Sequence, residues 1–411
     1  MDFEIDVDSE LLAPPVRRAA YSDRMAWLMA VMSLLAYVPF EAPPTRAKLR
    51  EMAEAIAGRT DVDEVLSELN KLVRPGEGKK GKAVLETQLG RIGFELIDTI
   101  SVTDGIRIDT QAFIAKVRIA DGQSDAGDPD KEILVIAFRG TEPTKLADIR
   151  VDAQAEMIAP ADIQPAEIEP EGQLTLEKRG PARVHQGFYT AYKSVESRLN
   201  EIIIAHKPAP VYVTGHSLGG ALAMVATRFI ANRSEGACYT FGAPRVGNEA
   251  FAEQIFTPVY RVVNESDGVP GVPPAHWQMA GLIWLADRFE WMASVIPVLK
   301  RMSEYRHYGD MRHLSASRIE MTFSGMARYP ELKIRTAPLP WERWSGLMVG
   351  GIWKRFARPL ADHDIARYAD KLRAHARATG KNRPQNRKCR QPKPSPGPGK
   401  RWNRRNRRSR R

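Results

Sequence analysis

Residues 211 to 219 read Val-Tyr-Val-Thr-Gly-His-Ser-Leu-Gly, a short apolar β-run that breaks into G-x-S-x-G and continues as a helical pattern from Leu218 to Ala231. A tight strand-to-helix turn of this kind lifts one side chain clear of a sheet. Flanking glycines such as Gly215 and Gly219 let neighbouring backbone approach a strained residue closely. Ser217 is therefore the candidate nucleophile. The turn also aims main-chain N–H groups at a reacting carbonyl, so Leu218, at the start of the helix, is a candidate oxyanion donor. A Gly/Ser turn that binds nothing fits the five residues alone. The strand before them and the small-residue run Gly220-Ala221-Leu222-Ala223 after them favour the nucleophile.

The pattern around this turn repeats the same alternation. Apolar β-runs cover Phe94 to Val102 and Ile106 to Ile119. The run Ile133 to Phe138 has no polar face, which suits a strand covered on both sides. A helix from Phe188 carries Tyr192, Val195, Leu199 and Ile202 on one stripe, and strands Ala237 to Phe241 and Val259 to Val263 follow the central helix. Strands alternating with helices predict an α/β fold: a three-layer, mostly parallel sheet with helices on both faces. Upstream, 22–37 and 45–73 read as helices with Ser22 and Thr45 as caps, and Pro75-Gly76-Glu77-Gly78-Lys79-Lys80-Gly81 reads as a linker. The expected division is a helical N-terminal region over 1–85, a catalytic domain over 86–375 and a disordered, Arg/Pro-rich tail over 376–411.

With 411 residues, 43% of them hydrophobic, the chain is long enough for a large core. Its net charge of +11 is misleading as an average. Lys371 to Arg411 carries 17 Lys and Arg and no acidic residue, which leaves the rest at −6. The tail composition cannot bury enough apolar surface to fold. Two cysteines, Cys238 and Cys389, give neither a disulfide framework nor a metal spacing. The acidic N-terminus has the wrong sign for a secretory signal, and the uncharged stretch 25–40 is shorter than the roughly 20 residues of a membrane span. A cytoplasmic or peripheral-membrane location is the expectation. No nucleotide loop, HExxH, CxxC or dinucleotide motif occurs, so no cofactor or metal is expected.

A serine hydroxyl is a poor nucleophile until a base takes its proton, so a histidine oriented by a carboxylate is required elsewhere. In α/β-hydrolases the order is Ser, then Asp or Glu, then His. Asp267 leads as the acid because its loop follows the strand Val259 to Val263, with Glu265 as the near competitor. The base stays open among His276, His307, His313, His363 and His375. His363 stands in a late loop before the helical pattern 365–374. Thr141, after the buried strand in Phe138-Arg139-Gly140-Thr141, is the candidate second oxyanion donor, although an ordinary glycine turn fits the same spacing.

Taken together, these pieces resemble the class 3 (fungal-type triacylglycerol) lipase family, a branch of the α/β-hydrolase fold, over roughly residues 90 to 370. The carrying segments are Val135-Ile136-Ala137-Phe138-Arg139-Gly140-Thr141, Val184-His185-Gln186-Gly187-Phe188, the GHSLGG run Gly215 to Gly220, and Phe241-Gly242-Ala243-Pro244-Arg245-Val246-Gly247. Arg261-Val262-Val263-Asn264 with Asp267, Val269 and Pro270 is similar to the family's acid loop. The resemblance implies Asp267 as the acid and His363, in Asp362-His363 with Tyr368, as the base. It also makes Tyr305-Arg306-His307-Tyr308-Gly309 a non-catalytic stretch. The chain departs from the family in a long gap between Asp267 and His363, partly filled by the apolar blocks 281–299 and 341–353. Its lid-like segment 142–152 lacks an aromatic anchor.

The implied activity is hydrolysis of carboxylic, acylglycerol-type esters through Ser217, Asp267 and His363, with Thr141 and Leu218 at the oxyanion. The alternatives are an esterase for short soluble esters, or a hydrolase-like protein whose basic tail grips anionic lipid or nucleic acid. Lipid or ester is the expected partner. Segment 281–299 is read either as core or as a surface that touches a membrane transiently.

Overall fold

The computed structural model describes residues 7–9, 11–12, 19–39, 77–104, 108–118, 132–140, 156–163, 180–207, 209–265, 267–273, 296–315, 319–321, 327–336 and 362–381, with single residues at 50, 54, 61, 288 and 317. Within them the helices are α1 (Asp23–Leu35), α2 (Glu77–Arg91), α3 (Gln186–Ala205), α4 (Leu218–Ile230), α5 (Glu249–Ala252), α6 (Ile296–Ser303) and α7 (Ile365–Lys381). The main sheet contains β1 (Glu95–Asp104), β2 (Ile108–Arg118), β3 (Glu132–Phe138), β6 (Val211–His216), β7 (Cys238–Phe241), β8 (Val259–Asn264), β9 (Asp310–Leu314) and β12 (Ile334–Arg335), side by side in that order. Two small pairs, β4 (Met157–Ile158) with β5 (Val184–His185) and β10 (Glu320–Met321) with β11 (Ala327–Arg328), lie apart from it.

Strand β3 shows why the sheet must be covered twice. All seven of its residues are buried. Its side chains alternate, with Ile133, Val135 and Ala137 entering one core and Leu134, Ile136 and Phe138 the other. The first core receives α1, α2 and α7, and the second receives α3 and α4. This is the three-layer α/β arrangement expected from the sequence.

The sheet is parallel through its centre, in line with the mostly parallel sheet expected, and antiparallel at both sides. Strands β3, β6, β7, β8 and β9 run parallel, whereas β1, β2 and β3 pair antiparallel at one side and β9 with β12 at the other. Only residues 105–107 separate β1 from β2, and a parallel crossover needs about a dozen residues.

Helix α1 is apolar on nearly every side because it is enclosed on nearly every side, between the sheet and α7. The Ser22 side chain caps it by accepting from the Met25 N–H (3.5 Å). Its buried Ser33 donates to Thr214 Oγ1 (2.9 Å), and Thr214 in turn donates to the Tyr239 carbonyl (2.9 Å).

Two sequence expectations change. The linker read over 75–81 is largely helix, because α2 begins at Glu77. Burial of Leu85, Leu89 and Ile92 outweighs the poor propensity of Gly78 and Gly81. Helix α7 continues through 376–381, with Ala376 buried and Arg377 bonded to Asp8, so these residues are not tail-like. Most of the helix expected over 45–73, the lid-like segment 142–152, most of 281–295, the block 341–353 and the tail 382–411 lie outside the described residues.

Because Trp27 is fully enclosed in this shared core, Trp27→Ala is expected to lower the unfolding free energy by about 3–5 kcal/mol in denaturant titration. A loss below about 1 kcal/mol would show that α1 is not part of the folding unit.

Candidate active site

Ser217 joins β6 to α4 at φ 58° and ψ −128°, a region costing a non-glycine residue about 1–3 kcal/mol. Neighbouring backbone holds it there. The Ser217 N–H donates to the Phe241 carbonyl (2.9 Å), and the Ser217 carbonyl accepts from the Gly220 N–H (3.0 Å). Gly219 packs so tightly on the end of β3 that a Cβ would collide with the Phe138 carbonyl. That contact brings Arg139 and Gly140 alongside the serine, and Gly140 lies next to the Ser217 Cβ. Leu218 is the first residue of α4, so helix geometry leaves its N–H without an intrahelical acceptor. Thr141, expected as the second oxyanion donor, lies outside the described residues.

At the carboxyl end of β8 the structure brings Asp267 and His363 together across 96 residues of sequence. His363 Nδ1 lies 3.0 Å from Oδ1 and 2.9 Å from Oδ2 of Asp267. The carboxylate also accepts from the Tyr368 hydroxyl (2.5 Å) and the Val269 N–H (2.9 Å). A carboxylate only accepts, so Nδ1 carries the imidazole proton and Nε2 presents its lone pair. Gly242, directly after Phe241, has φ +59°, and a Cβ there would sit 2.5 Å from Asp267 Oδ2 and 2.9 Å from His363 Nδ1. The serine's anchor and the Asp267–His363 pair thus meet at adjacent strand ends. Ser217 Oγ and His363 Nε2 are both buried, and neither makes a hydrogen bond.

The rival candidates are occupied elsewhere. Glu265 faces Lys371 (3.4 Å), and His307 Nε2 donates to the Pro270 carbonyl (2.7 Å). His313 Nε2 meets the Glu265 carbonyl (3.3 Å), His375 lies 3.8 Å from Asp23, and His276 is outside the described residues. Among the described residues no group of three or more His, Cys, Asp or Glu is placed to hold a metal ion.

Sequence reasoning missed the supports around this cluster. His216 Nε2–H donates to the His363 carbonyl (2.6 Å), and its Nδ1 accepts from the Tyr37 hydroxyl (2.8 Å). The His216 ring also lies against that of His363, with centroids 4.4 Å apart. Burial, aided by the neighbouring His363, pushes the His216 pKa well below the ordinary imidazole value, so the ring is neutral. Arg245 braces the acid loop by donating to the carbonyls of Gly271 (2.9 Å) and Pro273. The only sequence signal for His216 was its place inside G-x-S-x-G. Nothing local marked Tyr37, 179 residues away.

Residues 135–277 match the family model described as lipase (class 3). A secreted mono- and diacylglycerol lipase 1 of Fusarium solani is 40% identical over 113 residues, 25% of this chain and 33% of that protein. A lipase of Rhizomucor miehei is 33% identical over 182 residues, 41% of this chain and 42% of that protein. The chain therefore spans well under two thirds of either relative. Among solved structures, a lipase from Rhizopus microsporus var. chinensis aligns at 21% identity over 79% of this chain and 90% of that one, with a TM-score of 0.41.

The expected cytoplasmic or peripheral-membrane location is corrected by these relatives, since the Fusarium protein is by its name secreted. The acidic first residues, on which the expectation rested, do not outweigh that similarity. Among the described residues no helix is long and apolar enough to cross a membrane.

The depressed His216 pKa makes stability acid-sensitive. Below about pH 6.5 the unfolded chain takes up a proton that the buried ring refuses, so this contribution is present above that value and is lost as pH falls, by up to about 1.4 kcal/mol per pH unit. Denaturant titrations from pH 7 to pH 5 should show a shallower decline for His216→Gln than for the wild type. Equal slopes would contradict the assignment of a neutral buried ring.

Proposed function

We propose that this chain, whose residues 135–277 match the class 3 lipase family model, is a serine hydrolase of acylglycerol-type carboxylic esters. The observation that carries this reading is the Asp267–His363 pair with Nε2 left unbonded, beside a strained serine whose Oγ is unbonded as well. In the proposed reaction His363 Nε2 takes the Ser217 proton while Oγ attacks the ester carbonyl. The Leu218 and Thr141 N–H groups receive the oxyanion, and Asp267 steadies the imidazolium through Nδ1–H. The leaving alcohol takes its proton from Nε2. Water, deprotonated by the same nitrogen, then attacks the acyl carbon, and Nε2 returns that proton to Ser217 Oγ as the acid leaves.

The choice of acylglycerols draws on the Fusarium relative, a mono- and diacylglycerol lipase by name. An esterase for short soluble esters would use the same residues, and hydrolysis rates along a series of acyl-chain lengths separate the two. Ser217 is 0% exposed, so the proposed nucleophile is enclosed by the fold. The 13 basic residues over 382–411 favour an anionic lipid surface as an additional contact. Such a contact weakens with salt without altering the chemistry at Ser217.

Replacing Ser217 by Ala should lower kcat/KM for esters by about 10⁴- to 10⁶-fold, and a fluorophosphonate should label Ser217 in the wild type. Ester hydrolysis retained in Ser217→Ala would contradict the proposed reaction.

A further inference from the structure

Lys371 is 4% exposed, a rare environment for lysine, and the proposed reaction gives it no role. It lies one turn beyond Tyr368 on α7, the helix that follows His363. Its ammonium donates to Asn264 Oδ1 (2.7 Å) and to the Ser315 carbonyl (3.3 Å), and faces Glu265 Oε2 (3.4 Å). Ammonium has no acceptor, so the Asn264 amide must turn its oxygen toward Lys371 and its NH2 group the other way. That NH2 donates to the carbonyl of Asp362, the residue preceding His363 (2.9 Å). The Asn264 main-chain N–H donates to the Tyr368 hydroxyl (2.9 Å), which itself donates to Asp267. One asparagine at the end of β8 therefore holds both the segment bearing the base and a donor to the acid.

We propose that Lys371 is a positioning residue: it sets the orientation of the Asn264 amide and so fixes the His363 loop against the strand end that presents Asp267. The proposal rests on the reading of Ser217, Asp267 and His363 as the reacting groups. A second feature supports it. Glu265, which Lys371 also grips, has φ +32°, so the charge holds a strained residue two positions before the acid. Desolvation pushes the Lys371 pKa below its ordinary value, against the pull of Glu265 and Asp362, and Arg367 adds to the depression. A buried cation is a weak source of stability, and well-packed apolar replacements are often neutral or better. The cost is placed where it governs an amide orientation next to the acid–base pair.

Lys371→Met tests this directly, with kcat, KM, thermal midpoint and the rate of Ser217 labelling by a fluorophosphonate measured on the full chain. The expected result is a fall of about 10- to 100-fold in kcat and in labelling rate, with a KM change within about threefold. The thermal midpoint should stay close to that of the wild type. A lysine that only stabilised the fold would lower the midpoint and leave kcat per folded molecule unchanged, which overturns the proposal. Should Lys371→Met not fold, Asn264→Asp decides. It keeps the lysine contact but places a carboxylate oxygen against the Asp362 carbonyl, so kcat must fall, and a wild-type kcat in that variant overturns the proposal. Equal labelling of wild type and Lys371→Met overturns the Lys371 role alone. Absence of labelling in the wild type overturns the hydrolytic reading beneath it.

Discussion

The hydrogen bond between Asp267 and His363 Nδ1 is the contact around which the rest is arranged. It decides which ring nitrogen carries the proton, and with it whether the other nitrogen can act as a base. The carboxylate is held on several sides, by His363, the Tyr368 hydroxyl and the Val269 N–H. In a buried site each of these bonds is stronger than it would be in water, and the carboxylate has little freedom to turn away. Gly242 is part of the same constraint, because any larger residue would occupy the space where the two side chains meet.

The groups that meet there come from distant parts of the chain, and the sheet is what collects them. The parallel strands β6, β7 and β8 end side by side, which is where α/β sheets present ligand-binding loops. Helix α1 adds a support from the other end of the sequence: Tyr37, just beyond it, holds His216, and His216 holds the main chain of His363. The site carries several costs at once, namely a serine at positive φ, two buried unpaired polar atoms and an enclosed lysine. A core on each face of the sheet is the counterweight that lets these costs persist.

What was legible in the sequence follows the range of the signals. Ser217 stood out as a candidate nucleophile because strand, glycine turn and helix are contiguous in the sequence. Asp267 stood out as a candidate acid, a loop carboxylate after a buried strand, with Glu265 as its competitor, which in the structure faces Lys371. His363 could not be chosen by spacing alone, since five histidines stood downstream and its partner lies 96 residues away, and family resemblance singled it out. Alternation of strands with helices spoke to the parallel centre of the sheet and left the antiparallel flanks unspecified, and α2 was hidden by its glycines. Tyr37, His216 and Lys371 were invisible because their meaning lies wholly in partners that folding supplies.

In the proposed reaction Asp267 acts by holding His363 in one tautomer and orientation. Asp267→Asn preserves shape while offering an N–H where an acceptor is needed. Its kcat on an acylglycerol, measured beside its folded fraction, should fall by about 10⁴-fold with folding intact. A folded Asp267→Asn enzyme within about tenfold of the wild type would contradict the account.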